Sequence, residues 1–319
     1  MYNDIKLEKG LYNLSGKNFT SALEELDPSA NYCGTSLENL DAYERQLKRF
    51  NIKVAGSECD RVEKFFTSTE SAVLFPEFVA RCIKKGFDET ILTSVCAAKT
   101  ICGCGQYLGC VLDDTAEYTT SAEAAALPSA TVRESDTATV LAKYGRLISA
   151  SYEAIRQQRL DVFSVMLRSI GVKLAASVTK KAVEVLAANA EGVTSAALTY
   201  ADLANLYGEF DCFNMNALIV SPEIASKIVA MEELSDISAD ETGKIVLPFG
   251  AELIKTSAAD DGRIIGIDKD FALEFITSSD LVMETDKLID RQLDQITVSI
   301  NCGFRKITPD AVKVLTITA

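Results

Sequence analysis

Between residues 161 and 189, apolar side chains recur at steps of three and four: Phe163, Met166, Leu167, Ile170, Leu174, Val178, Ala182, Val185 and Leu186. That spacing predicts one long amphipathic helix. At 1.5 Å per residue it would run roughly 40 Å, longer than most helices of a globular domain. Such a rod suits an element that must span a wall.

The first 70 residues read as an extended arm carrying short helices. Leu40, Tyr43, Leu47 and Phe50 form one apolar stripe, with Glu44, Arg45, Lys48 and Arg49 facing away. Residues 75–86 predict a short helix with Pro76 near its first turn, two lysines in its last turn and Gly86 at the C′ position. Residues 91–101, rich in Thr, Val and Ile, read as a strand. Beyond the long helix the period changes again. Residues 200–210 predict a helix and 217–220 (ALIV) a buried strand. A second helix starts with Ser221 as N-cap and Pro222 at its first position. Residues 244–247, 252–255, 264–267, 296–300 and 310–317 read as further strands, with Asp260-Asp261-Gly262 as a turn. The fold class is α+β.

Residues 103–143 break the pattern. Gly, Asp, Thr, Ser and Ala dominate, so the segment cannot bury enough apolar surface to fold alone. Forty such residues are hard to place inside a compact domain. They fit a long hairpin that leaves its own subunit and returns through residues 139–148; a disordered surface loop is the plainer alternative.

Composition narrows the function. The 319 residues carry 32 basic and 46 acidic side chains, a formal charge of −14. That balance argues against wrapping on nucleic acid but is compatible with enclosing it. No run of 18 apolar residues occurs, so no membrane span and no membrane partner are expected. The start lacks the basic and apolar regions of a signal peptide. Nine cysteines without a secretion signal imply free thiols in a reducing compartment.

The chain has no histidine, which excludes Ser-His-Asp, Cys-His and His-ligated metal arrangements within one copy. A phosphate loop and a nucleophile elbow are absent as well. Gly103, Gly105 and Gly109 approach a dinucleotide fingerprint, but the last glycine comes one residue late, so they read as turns. Cys102, Cys104 and Cys110 form the one dense thiol group. With Cys96 as a fourth ligand they could hold a metal, and between copies of the chain they could form disulfides; the plainer reading is small apolar side chains. Asp113-Asp114 reads as turn chemistry rather than a carboxylate site. No catalytic residue, metal or cofactor is expected.

Four stretches carry a resemblance: DAYERQLKRF from Asp41, ESAVLFPEF from Glu70, SYEAIRQQRLD from Ser151, and DKLIDRQLDQITVS from Asp286 with Gly303 and Phe304. In this order, around one long helix and one long excursion, the chain resembles the major capsid proteins of tailed bacteriophages. These share the fold named after phage Hong Kong ninety-seven. The resemblance covers about residues 40–317. It implies an N-terminal arm (1–70), a peripheral domain (71–103 and 144–194) with a spine helix at 161–189, and an extended loop (104–143). An axial domain (195–285) and returning C-terminal strands (286–319) complete it.

The function it implies is a virion shell subunit, assembled in the bacterial host cytoplasm into hexamers and pentamers of an icosahedral head. The partners implied are other copies, a portal, a separate scaffolding protein and double-stranded DNA enclosed without sequence-specific binding. The type member cross-links through a lysine in its extended loop. Residues 104–142 hold none and Lys143 lies at the base, so such cross-linking is not expected. An encapsulin-type compartment enclosing a cargo enzyme is the alternative, and a thiol- or metal-dependent enzyme around Cys102–Cys110 the competitor from another class. Charged residues on segments without a core of their own are candidates for ion pairs between subunits: Arg133, Glu134, Asp136, Arg156, Arg159, Asp290 and Arg291. Solvated faces contributing little are the alternative for each.

Overall fold

The long 3.6-residue period forms a single helix in the computed structural model, which describes residues 2–13, 18–90, 92–114, 120–234, 243–288 and 293–318. The helices in chain order are α1 (Phe19–Leu26), α2 (Ala42–Arg49), α3 (Thr69–Ala72), α4 (Leu74–Asp88) and α5 (Leu92–Val95), then α6 (Tyr152–Arg156), α7 (Leu160–Ala187), α8 (Tyr200–Gly208) and α9 (Pro222–Val229). The strands before α7 are β1 (Ala98–Ile101), β2 (Gln106–Tyr107), β3 (Cys110–Asp113), β4 (Thr131–Glu134), β5 (Thr139–Val140) and β6 (Ala142–Ser151). Those after it are β7 (Glu191–Ser195), β8 (Ala217–Val220), β9 (Glu252–Lys255), β10 (Arg263–Ile267), β11 (Leu273–Thr277), β12 (Val282–Leu288), β13 (Leu293–Lys306) and β14 (Val312–Ile317). The chain divides into two compact units. The first is Met1–Glu89, Gly145–Leu174 and Leu281–Val298; the second is Thr90–Tyr144, Ala175–Asp280 and Ser299–Ala319.

In the first unit, Asp41 and Glu44 cap α2 reciprocally, each carboxylate accepting from the other's backbone amide. Tyr43 and Leu47 are buried, as their period requires. Arg45 departs from the expectation that it faces away: its side chain is 0% exposed. Its guanidinium donates to the Asp27 carboxylate at 2.6 Å and to the Asp27 and Leu40 carbonyl oxygens, and it lies over the Tyr32 ring. The partner sits 18 residues away, where no helical period can reveal it. The short helices of residues 1–70 are also less arm-like than their sequence reads. Leu7, Phe19, Leu23, Val62 and Phe65 are buried, and Tyr12 stacks on Phe19 at 4.3 Å.

Gly86 is not a C′ residue. It lies inside α4, which continues to Asp88. A Cβ on Gly86 would sit 2.1 Å from the Arg168 carbonyl oxygen, and one on Gly171 2.1 Å from that of Ile83. The two glycines let α4 and α7 cross backbone to backbone. Along the same pair, Phe75 stacks on Phe163 with ring centres 6.2 Å apart. The length of α7 and its mean hydropathy of 1.4 over 18 residues would let it cross a bilayer, although no continuous apolar run marks it in the sequence. Phe163, Leu167, Leu174, Val178, Ala182 and Leu186 form a buried seam, but Val162, Val165, Met166 and Val172 are 46–61% exposed, so Met166 departs from the expected apolar stripe.

In the second unit, α7 stops at Ala187, two residues before the predicted end. Asn189 takes the left-handed conformation (φ +52°) that closes a helix, and the Lys306 ammonium donates to the Ala188 carbonyl at 2.5 Å. A five-stranded sheet has the order β7-β14-β10-β8-β9. β10 runs antiparallel to β14 and β8, while β7 and β9 run parallel to their neighbours. All four residues of β8 are buried, which is why the strand is continuously apolar. Leu203 and Leu206 of α8, Ile224 and Ile228 of α9, and Met215, Leu218 and Ile264 form one core.

Two strand expectations fail in this unit. Residues 244–247 make only isolated bridge contacts: Val246 stands opposite Glu252, and the Ile245 carbonyl accepts from the Leu253 amide at 2.8 Å. Hydrogen bonds of 2.8 Å from Leu247 to Ala251 and from Gly250 to Leu247, with Gly250 at φ +88°, turn the chain first. Residues 91–101 split into α5 and the four-residue β1; Ile91 itself lies outside the described residues. β1 forms only where β11 stands opposite, from Ala98 against Glu274 to Ile101 against Thr277.

Candidate assembly surface

The compositionally odd segment is a two-stranded ribbon. β2 pairs antiparallel with β5 (Gln106 opposite Val140) and β3 with β4 (Cys110 opposite Glu134 through Asp113 opposite Thr131). Residues 115–119 lie outside the described residues. Side chains alternate across a ladder, so Cys110, Leu112, Val132 and Glu134 share one face, and Val111, Asp113, Thr131 and Arg133 the other. Leu112 and Val132 stand directly opposite one another, 60% and 67% exposed. A lone two-stranded ribbon is marginal in water, and an uncovered apolar pair on it is the kind of surface that another surface covers.

At its base the ribbon lies on the sheet formed by β1, β11 and the last residues of β13. Glu274 and Arg305 are direct cross-strand partners. The guanidinium donates to Glu274 Oε2 at 3.1 and 2.9 Å, and its third contact reaches the Cys110 carbonyl at 2.7 Å. The Thr100 hydroxyl donates to the other Glu274 oxygen at 2.5 Å. Burial first, then the Glu274 charge, raises the pKa of the neighbouring Tyr107 phenol. On the opposite face of these strands Phe275 stacks on Phe304 at 5.1 Å.

The residues singled out for inter-subunit ion pairs fare unequally. Arg133 and Asp136 come together within one chain: Arg133 donates to Asp136 at 2.8 Å and to Asp113 at 2.9 Å. Glu134 is exposed on the apolar face of the ribbon. Arg156 lies over the Phe66 ring at 5.3 Å, and Arg159 pairs with Asp161 at 2.7 Å. Asp290 and Arg291 lie outside the described residues. Sequence reasoning missed Leu112, Val132, Arg305 and Glu274. Alternation in the CVLD and TVRE runs carries a signal for the first two; no local pattern marks the charged pair.

The thiols show little sign of chemistry. Cys102 donates to the Cys104 carbonyl at 3.3 Å, and all nine cysteines are free. Among the described residues no group of three or more Cys, Asp or Glu is placed to hold a metal ion. Burial pushes the Cys96 and Cys302 thiols up to about 12 and the Cys82 thiol to about 11, away from the nucleophilic thiolate.

A family model described as phage capsid protein matches residues 134–299. Three solved structures share the fold at low identity. A structure from Microbacterium phage Oxtober96 has a TM-score of 0.52 and 12% identity, covering 71% of this chain and 90% of its own. The capsid of an empty GTA particle has a TM-score of 0.53 and 15% identity, covering 72% and 89%. A virus-like particle from Pyrococcus furiosus has a TM-score of 0.50 and 13% identity, covering 75% and 96%. No curated protein matches the sequence.

Proposed function

The chain belongs to the phage capsid protein family and carries the Hong Kong ninety-seven capsid fold, and from that premise we propose how it builds a shell. It is the major shell subunit; copies form hexamers and pentamers that close into an icosahedral head around double-stranded DNA. The observation that carries this reading is the ribbon, on which Leu112 and Val132 stand opposite one another, 60% and 67% exposed. In this reading residues 104–143 overlap an adjacent subunit, 195–285 surround the capsomer axes, and α7 is the spine between them. Residues 1–70, 71–103, 144–194 and 286–319 keep the arm, peripheral and returning-strand roles set out from sequence. Repeated interfaces multiply a small contact over the whole shell.

Charge supports apolar rather than ionic contact. Residues 195–280 hold 16 acidic and five basic side chains, so they contribute −11 of the −14. Residues 104–143 hold six acidic and two basic. Copies of such a chain repel on balance, and the attraction has to come from covered apolar surface. Membership of a capsid protein family favours a structural role without catalysis. A portal and a separate scaffold complete the assembly, which takes place in the host cytoplasm.

Light scattering with negative-stain microscopy of the purified protein tests the reading. Megadalton shells or ring-shaped hexamers and pentamers support it; a monomer or dimer that persists in salt and crowding overturns it. Dense DNA in native particles marks the phage head, whereas a protein cargo would mark an encapsulin-type compartment instead.

A further inference from the structure

We infer that Arg305 is a latch that fixes the direction of the ribbon over the sheet before a second copy is met. The side chains of Arg305 and Glu274 are 15% and 6% exposed, so the pair is nearly out of water and its geometry is held. Thr100 binds the Glu274 oxygen that Arg305 leaves free, which fixes the carboxylate in turn. The remaining guanidinium contact goes to the backbone of the ribbon, at the Cys110 carbonyl where β3 begins. Gly109 makes the contact possible: a Cβ there would sit 2.2 Å from the guanidinium carbon. Gly303 does the same on the returning side, where a Cβ would meet Thr139 and Leu141 at 3.0 and 3.1 Å.

Beyond this point β3 and β4 pair with each other, and their side chains are exposed except for the half-buried Val111. A two-stranded ribbon cannot hold a direction by itself. On the returning side β5 runs into β6, which pairs with β13; on the outgoing side one planar fork bridges sheet and ribbon, a task that the point charge of lysine cannot perform. The latch is positional, and only its consequence for assembly rests on the shell reading.

Hydrogen exchange on the unassembled subunit tests it with two variants, Arg305→Lys and the double variant Arg305→Met with Glu274→Met. The double variant leaves no buried charge unpaired and so protects against simple misfolding. In both, amides of residues 110–113 and 131–134 are expected to exchange about tenfold faster while β8 and β10 keep wild-type protection. Shell yield is expected to fall in parallel. Unchanged exchange in the ribbon overturns the latch; loosening that extends through β8 and β10 reduces the pair to general stability and overturns it too. Wild-type shell yield from a loosened ribbon overturns its part in assembly. If the wild-type protein forms no shells, the shell reading falls while the exchange result still decides the latch.

Discussion

β8 and the β3–β4 ribbon belong to the same unit and are both made of four-residue strands, yet they solve opposite problems. Ala217–Val220 is buried at every position between β10 and β9. Cys110–Asp113 and Thr131–Glu134 hold almost nothing buried. The first strand is stabilised by its own chain. The second keeps its apolar pair, Leu112 and Val132, available. Burial within one copy and burial between copies draw on the same hydrophobic effect, and this chain assigns them to separate segments.

The sharpest way to break the comparison is to exchange the effects. Leu218→Ala in β8 should cost about 2–5 kcal/mol of unfolding free energy, read by chemical denaturation, and should abolish shells only as a consequence. Leu112→Ser with Val132→Ser, which adds no like-charge pair across the ladder, should leave the unfolding free energy of the free subunit within about 0.5 kcal/mol. Shells should nevertheless be lost in sedimentation. Equal destabilisation by both changes would dissolve the distinction.

A pH-dependent effect comes next. Burial works against ionisation of Glu252, but hydrogen bonds from Lys244 and Lys269 outweigh it and hold the carboxyl below its ordinary value of 4.5. Because the folded-state pKa is depressed, the stabilisation is present above that ordinary value and is lost as pH falls through the folded one. Glu252→Gln should therefore lower the thermal midpoint at pH 7 by an amount worth about 1 kcal/mol, with the gap closing as pH drops below 4.5. A gap that persists in acid would assign the loss to packing. The smallest effect is expected from Arg133→Ala: its contacts with Asp113 and Asp136 stay within one chain and lie in open solvent. Thermal midpoint and shell yield should both match the wild type; a large fall in yield would restore Arg133 as an inter-subunit residue.

What could be seen in the sequence follows from range. The period of α7, the apolar run of β8, the Ser221-Pro222 helix start and the poverty of residues 103–143 are local signals, and each appears as an element of the expected kind. The pairings were hidden. Arg45 looks like any exposed helix charge until Asp27 is brought beneath it. Gly86 looks like a helix stop until Arg168 crosses it. Glu274 and Arg305 are 31 residues apart and 164 or more from Cys110, too far for any spacing rule.

The sequence by itself determined the long helix, the buried strand β8 and the ribbon, though not residues 91–97 or 244–247, because hydrophobic periodicity and turn chemistry act over a few residues. It determined too that the ribbon has no core, because composition sets how much apolar surface a segment can bury. Tertiary structure alone decided which charge is buried and which glycine is a contact. It also decided which face of the ribbon is left apolar and what holds the ribbon in place. Those depend on strand register and helix crossing, where residues distant in the chain become neighbours and one residue of slip would exchange the faces.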